Sequence, residues 1–315
     1  MTRQRMAELP FNPKAPFTRK RALRAGLTDA DLCGARYQQL FWGVYISGSV
    51  KATLVVRALA ALMVAPPGSV VSHHSAASLW GGIAPESGDI HLSMPPGNRQ
   101  KTRGIRSHRM TRMPTPASRR GLRVTSPEQT FIDLALFCDL VQLVVLGDSL
   151  VKAKATTPAK LMAACDESKA RHAPLARRAS SLVRQKVDSP MESRVRMLMV
   201  LAGLREPRVN VDIHDENGRA KYRLDLSFPD QLLAIEFDGR PHVEVRARWE
   251  GDVIRREDIE AGGWRFVVVT STQFYGSPGE VLDRIIAAMR ERGVPVPRRL
   301  RGEWRRYFTG TDDIA

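Results

Sequence analysis

Cysteine is scarce in this chain, and the few present do not pair by spacing. Cys33, Cys138 and Cys165 are far apart, odd in number and outside any Cys-x-x-Cys motif. A disulfide framework and a thiolate metal knuckle are thereby excluded, and the three read as reduced thiols of a cytosolic protein, used as small core hydrophobes. Long apolar runs are missing as well. The two most apolar stretches, 54–65 and 140–151, are interrupted by Arg57 and Asp148 and are too short to span a bilayer. The N-terminus leads into Pro10, Pro13 and Pro16 instead of an apolar core, so no secretory signal is expected. Acids are in deficit: 33 Asp and Glu against 49 Lys and Arg give a formal charge of +16. Such a field favours polyanions, DNA before a membrane surface, since no basic amphipathic helix stands out.

At 315 residues the chain exceeds the usual size of one domain. The segment FTRKRALRAGLTDADLCGARYQQLFWGVYIS sets Thr18 and Thr28 at N-cap positions before two short amphipathic patterns, with Gly26 as the turn between them. The aromatic and β-branched LFWGVYIS predicts a strand and turn, which is the order of a winged helix-turn-helix over 1–50. A helical hairpin beside a β-hairpin fits the same pattern. Residues 51–166 predict a mostly helical domain, with a helix from Thr53, one opening at Ser72 in SHHSAASLWGG, short strands near 90–94 and 105–110, and a helix capped by Ser126 and opened by Pro127. His73 and His74 have no partner at metal-binding spacing nearby and read as a helix start. Eight basic residues between Gln100 and Val124 are either a phosphate-contacting strip or a solvated face.

Residues 167–189, basic and rich in alanine, predict a linker helix that ends at Asp188-Ser189-Pro190, a strong helix-start signal. Thereafter the pattern changes to a helix over 190–204, strands near 209–214, 222–228 and 232–238, a charged helix over about 244–261, an apolar strand over 264–270 and a last helix over 278–291. That order gives a mixed sheet flanked by helices over 190–293 and places the whole chain in the multi-domain α/β class. In the basic tail, 294–315, Trp304, Tyr307 and Phe308 either stack on a nucleic-acid strand or pack on the body.

The strand LLAIEFD ends in two acids that share a face, because successive strand side chains alternate. The preceding strand, YRLDLSF, carries Asp225, and the short Pro229-Asp230 turn makes the two strands an antiparallel pair, so Asp225, Glu236 and Asp238 can meet. Like charges at close range need a cation, a proton or open water to persist. Oxygen-only ligands suit Mg²⁺ or Mn²⁺, and in a basic protein this points to phosphodiester hydrolysis. The competing reading makes Asp238-Gly239 a hairpin turn, Glu236 a solvent-facing strand residue and Asp225 the partner of an arginine. His242 is placed to handle a proton or is an ordinary loop histidine. Glu192, in the first turn of the helix from Pro190, either reaches the cluster or serves the helix end.

The run from SPMESRVRMLMVLAGL through YRLDLSFPDQLLAIEFDGRPH to WEGDVIRREDIEAGGWRFVVVT resembles, over about residues 189–292, a bacterial domain related to the very-short-patch mismatch-repair endonucleases, within the restriction-endonuclease-like fold. The resemblance implies that Asp225 and Glu236 are metal-binding acids. It also implies that His242 falls on a histidine position of the repair enzymes and that Asp252, Arg255 and Arg256 lie on the helix after the site, the two arginines being candidates for DNA contact. One departure matters. The superfamily usually has lysine two residues after the second acid, and here Asp238 stands there, either as an extra ligand or as a sign of weakened activity. Over about residues 15–166, FTRKRALRAGLT, FWGVYIS, SHHSAASLWG and RVTSPEQTFIDLAL resemble the antitoxin-like proteins of the abortive-infection class. That resemblance implies DNA binding, through Arg36 and Gln38 on the helix from Thr28 and Arg19, Lys20 and Arg24 on the helix before it, and a possible toxin partner.

The sequence therefore predicts a cytosolic, metal-dependent DNA endonuclease that uses Mg²⁺ or Mn²⁺. Its catalytic set is Asp225, Glu236, Asp238, His242 and Glu192, and the N-terminal half grips the duplex. The alternative is a DNA-binding regulator or antitoxin that keeps the nuclease-like module without its activity.

Overall fold

The computed structural model describes residues 10–97, 101–111, 113–214, 217–238 and 257–310. The chain divides into two compact units, one made of 1–138 and 159–177, the other of 139–158 and 178–315.

The first unit begins with β1 (Phe17–Thr18), α1 (Arg19–Arg24), α2 (Asp29–Cys33), β2 (Tyr37–Phe41) and β3 (Val44–Ser47), whose strands form a sheet in the order β1-β3-β2. The caps are those the sequence signals. The Thr18 side chain accepts from the Arg21 N–H at 3.2 Å, and Thr28 forms a capping box with Asp31. Between the helices Gly26 takes φ 83°, a left-handed conformation open to glycine without strain. Phe17, Ala22, Leu27, Leu32 and Tyr37 form the core beneath them.

The same unit continues with α3 (Leu54–Val64), β4 (Val70–Val71), α4 (His73–Trp80), β5 (Ile90–Met94), β6 (Ile105–Arg109), β7 (Ala117–Arg119), β8 (Leu122–Val124) and α5 (Pro127–Leu134). The strands form a five-stranded sheet in the order β6-β5-β4-β8-β7. Helices still hold most of the regular structure over 51–166, and the sheet adds β4, β7 and β8 to the two strands expected there. Strands β4, β7 and β8 have only two or three residues, too few to show an alternating pattern, and β5 is buried along its whole length, which removes the polar half of the alternation. Ala58, Ala61, Ala76 and Leu79 of the helices pack on Val71, Ile90, Leu92 and Val124 of the sheet.

Next come α6 (Leu140–Lys152), α7 (Pro158–Glu167) and α8 (Ala173–Leu182). The expected linker over 167–189 thus contains a packed helix, whose Ala173, Ala176 and Ala179 are buried.

The second unit adds α9 (Pro190–Leu201), β9 (Arg208–His214), β10 (Ala220–Phe228), β11 (Leu233–Asp238), β12 (Arg265–Thr270), α10 (Ser271–Gly276) and α11 (Pro278–Glu291). Its sheet has the order β12-β11-β10-β9, with β9, β10 and β11 antiparallel and β12 parallel to β11. Between β11 and β12, residues 257–261 are helical. Fully enclosed Arg196 of α9 donates to Asp148 of α6 at 2.9 Å and to Glu206 at 2.8 Å. The tail packs on this unit: Trp304 and Phe308 are buried, and the Phe308 ring lies edge-on to Phe274 with centroids 5.5 Å apart. Trp304 and Phe308 are thus core residues, and Tyr307 is half-buried. No helix among the described residues is long and apolar enough to cross a membrane.

Candidate active site

Helix α9 lies against β10 and β11, and this packing assembles the acidic site. Pro190 opens the helix and Ser189 caps it, accepting from the Glu192 N–H at 3.1 Å. The first turn therefore carries Glu192 inward, where its side chain is buried. Glu192 Oε2 accepts from the Asp188 N–H at 2.9 Å and from Asn210 Nδ2 at 2.7 Å. Burial pushes the Glu192 carboxyl above its ordinary range, and the negative charge of Asp225 pushes it further, so the two acids are electrostatic neighbours.

Strands β10 and β11 pair from Phe228 and Leu233 to Leu226 and Ile235. One step further along this register stand Asp225 and Glu236. There the Asp225 side chain takes over from the ladder, accepting the Phe237 N–H on Oδ2 at 3.1 Å. Asp225, Glu236 and Asp238 are all half-buried. Asp238 is the last residue of β11 and pairs with Thr270 of the parallel strand β12. A parallel neighbour needs a crossover, so β11 and β12 are not the two arms of a hairpin, and Gly239 lies outside the described residues. His242, Asp252, Arg255 and Arg256 lie outside the described residues.

Asn210 belongs to this site although the sequence reading passed over it. It sits on β9 with φ 45°, a conformation that asparagine tolerates better than most residues, and its buried amide holds Glu192. The signal was there in RVNVDIH, a strand-disfavouring residue between two valines.

The N-terminal candidates fall into different settings. Arg19 donates to Asp29 through Nε at 2.7 Å and through Nη2 at 2.5 Å, so much of its charge is matched locally. Lys20 and Arg24 are exposed on α1. Helix α2 stops at Cys33 because Gly34 turns extended, so Arg36 and Gln38 are not on it. Arg36 is half-buried in the following turn, and Gln38 lies on β2 with its amide donating to the carbonyls of Ser47 and Val50. Trp42, between β2 and β3, is 85% exposed.

In the first unit His73 and His74 meet His91 of β5 and His108 of β6 around the Phe137 ring. The local sequence could not show this cluster, since its members come from three elements.

A family model described as REase_MTES_1575, a restriction-endonuclease-like family, matches residues 199–289. The uncharacterized proteins MT2308 and Rv2248 of two Mycobacterium tuberculosis strains, CDC 1551 and H37Rv, are each 26% identical over 250 residues, covering 78% of this chain and 90% of theirs. The solved structure of the RV2827C protein from Mycobacterium tuberculosis aligns with 53% of this chain and 72% of its own at 17% identity and a TM-score of 0.38.

Proposed function

We propose that the protein is a metal-dependent DNA endonuclease whose first unit binds the duplex and whose second unit hydrolyses a phosphodiester. The observation that carries this reading is the position of Asp225 beside Glu236 at the end of the β10–β11 ladder, within the stretch that matches a restriction-endonuclease-like family, with buried Glu192 of α9 as the electrostatic neighbour of Asp225. A structural sheet has no need to bring acids to one place, because their mutual repulsion costs stability.

The donor chemistry fits a hard divalent ion. Among the described residues no three His, Cys, Asp or Glu side chains are arranged to hold a metal. Mg²⁺ asks for less, being held by one or two carboxylates with waters and substrate phosphate completing its shell. Asp225 and Glu236 would hold it, with Asp238 as a further oxygen donor. When bound, the ion would activate a water and offset the charge of the phosphate. Glu192 is a positioning residue: its carboxyl, raised chiefly by burial, fixes Asn210 behind the site. His242 would pass a proton to the leaving oxygen, Lys20 and Arg24 would contact backbone phosphates, and Arg255 and Arg256 would grip the strand near the cut.

Cleavage of plasmid DNA in Mg²⁺ or Mn²⁺ tests the reading. Asp225→Asn and Glu236→Gln are each expected to abolish cleavage while leaving DNA affinity and its salt dependence in place. Undiminished cleavage by both variants would overturn it.

Asp238 favours a second reading, since an acid cannot supply the positive charge that lysine offers in the resembled superfamily. The protein would then be a DNA-binding regulator or antitoxin, with a toxin as partner, that keeps the module without the activity. Tight DNA binding with no divalent-dependent cleavage, unchanged in Asp225→Asn, is its signature.

A further inference from the structure

The first unit contains a cleft of about 730 Å³ whose lining includes His73, His108, Arg109, Asp133 and His172. Three structural features make it more than a surface dent. The rings of His73 and His108 stack face to face, centroids 3.6 Å apart and planes within 14°. His108 Nε2 lies 3.0 Å from His91 Nδ1, and His91 Nε2 lies 2.7 Å from the hydroxyl of exposed Ser87. The third is Asp133, whose Oδ1 accepts from Gln129 at 2.7 Å while Oδ2 is buried without a partner.

The Ser87–His91–His108 chain has two self-consistent proton arrangements, each with one proton per link, and shifting between them moves a proton from the surface to the His108 nitrogen that His91 does not engage. His73 is committed in a similar way: Nδ1 meets Ser72 Oγ at 2.9 Å, leaving Nε2 for a ligand. Its backbone has φ 49°, an uncommon conformation for a residue other than glycine and one found where a site constrains the chain.

The charges around the cluster are one-sided. From α4 come His73 and His74, from β5 His91, from β6 His108 with Arg106 and Arg109, from α5 Asp133, and from the turn before α8 His172. Burial, mutual repulsion and Arg106 hold His91 and His108 neutral, His108 at about 4, and burial with the neighbouring imidazoles does the same for His73, while burial lifts the Asp133 carboxyl to about 6. Every one of these groups gains from an anion: the imidazoles become able to ionise, Arg109 finds a partner, and Asp133 can donate a proton-bearing oxygen to it.

We propose that this cleft binds a phosphate-bearing anion, held by Arg109, His73, His108 and Asp133, and that binding takes up protons delivered along Ser87–His91–His108. The cleft belongs to the first unit, whereas the proposed nuclease residues belong to the second.

Titration calorimetry of the full chain with inorganic phosphate and with sulfate tests it, sulfate being included because it keeps one charge state across the range. The expected result is affinity at least about tenfold higher near pH 6 than near pH 8 for sulfate, with about one proton taken up per anion, read from buffers of different ionisation enthalpy. Arg109→Gln, an exposed position, is expected to weaken binding about tenfold at both pH values, and Asp133→Asn to reduce the proton uptake. Displacement by a short DNA duplex would assign the phosphate to a nucleic-acid backbone; displacement by glycerol phosphate alone would assign it to a free phosphomonoester. No binding at millimolar anion near pH 6, equal affinity at both pH values, or indifference to both variants would overturn the proposal.

Discussion

The Phe237 N–H donates to Asp225 Oδ2 at 3.1 Å, just beyond the last paired residues of β10 and β11. The acid proposed as a metal ligand is therefore also the partner of a strand N–H, and its two roles can be separated by choice of substitution. Asp225→Ala leaves that N–H without its acceptor and is expected to cost about 1–3 kcal/mol in urea unfolding. Asp225→Asn keeps a carbonyl oxygen in place and is expected to cost under about 1 kcal/mol while losing cleavage. An Asn variant as unstable as the Ala variant would show that the charge of Asp225 serves the strand.

Glu192 yields a prediction of opposite sign. Its folded carboxyl is raised above its ordinary value of 4.5, first by burial and then by Asp225. An acid whose folded pKa is raised loses stability as pH climbs through its unfolded pKa, and the full penalty stands above the folded one. Glu192→Gln keeps an oxygen acceptor for Asp188 N–H and Asn210 and removes the penalty. The variant is expected to be more stable than the parent at neutral pH, the difference fading as pH falls below 4.5. Thermal unfolding at a series of pH values checks this.

How much of this was readable in the sequence depends on the range of the signal. Ser126-Pro127 and Ser189-Pro190 start their helices as expected, because capping is decided within four residues. The Asp225 and Glu236 pairing was readable because a short turn joins β10 to β11 and fixes their register. The five-stranded sheet was not, since Val70–Val71 is too short to declare itself and its partners β5 and β8 are far along the chain. The histidine cluster failed for the same reason: His73 meets His108, 35 positions further along the chain. Gln38 was misplaced because the helix pattern from Thr28 has no internal mark of where it stops, and Gly34 ends it early. The tail left a choice between stacking on nucleic acid and packing, which only the burial of Trp304 decides.

Arg196 gives a stability test remote from the proposed chemistry. It is fully enclosed and serves both Asp148 and Glu206, while Asp148 also accepts from Ser193 at 2.7 Å and from the Arg184 N–H at 2.7 Å. Arg196→Met leaves a buried carboxylate without its cation, so a loss of about 3–5 kcal/mol is expected in chemical denaturation. Adding Asp148→Leu is expected to recover part of that loss only, because Ser193 and Arg184 then lack their acceptor. A double variant as unstable as the single one would mean that the arginine's packing, and not its charge, matters.

Lys20 and Arg24 are exposed on α1, whereas neighbouring Arg19 is paired with Asp29. If α1 contacts phosphates, Lys20→Ala and Arg24→Ala each weaken binding alike for all DNA sequences and lower the slope of log affinity against log salt by about 0.9. Arg19→Ala is expected to change that slope less, since Asp29 already offsets its charge. Equal slopes in all three variants and the parent would remove α1 from the DNA interface.

The histidine cleft predicts how the protein responds to acid. His73, His91 and His108 are held down, to about 2, 3 and 4, chiefly by burial, against an ordinary value of 6.5. A base with a depressed folded pKa contributes stability that is present above the unfolded value and lost as pH falls below it, because the unfolded chain takes up the proton first. Each histidine can therefore remove up to about 1.4 kcal/mol per pH unit below 6.5. Asp133 acts the other way between 3.8 and about 6, where the folded state holds the extra proton. Urea unfolding at pH values from about 7.5 to 5.5 should thus show a steep loss that begins near 6.5. The loss should be steeper in Asp133→Asn and shallower in His108→Gln. Saturating sulfate should flatten it, since an anion in the cleft lets the folded state accept the same protons. A stability that does not change from pH 7.5 to 5.5 would mean that these imidazoles are not held neutral.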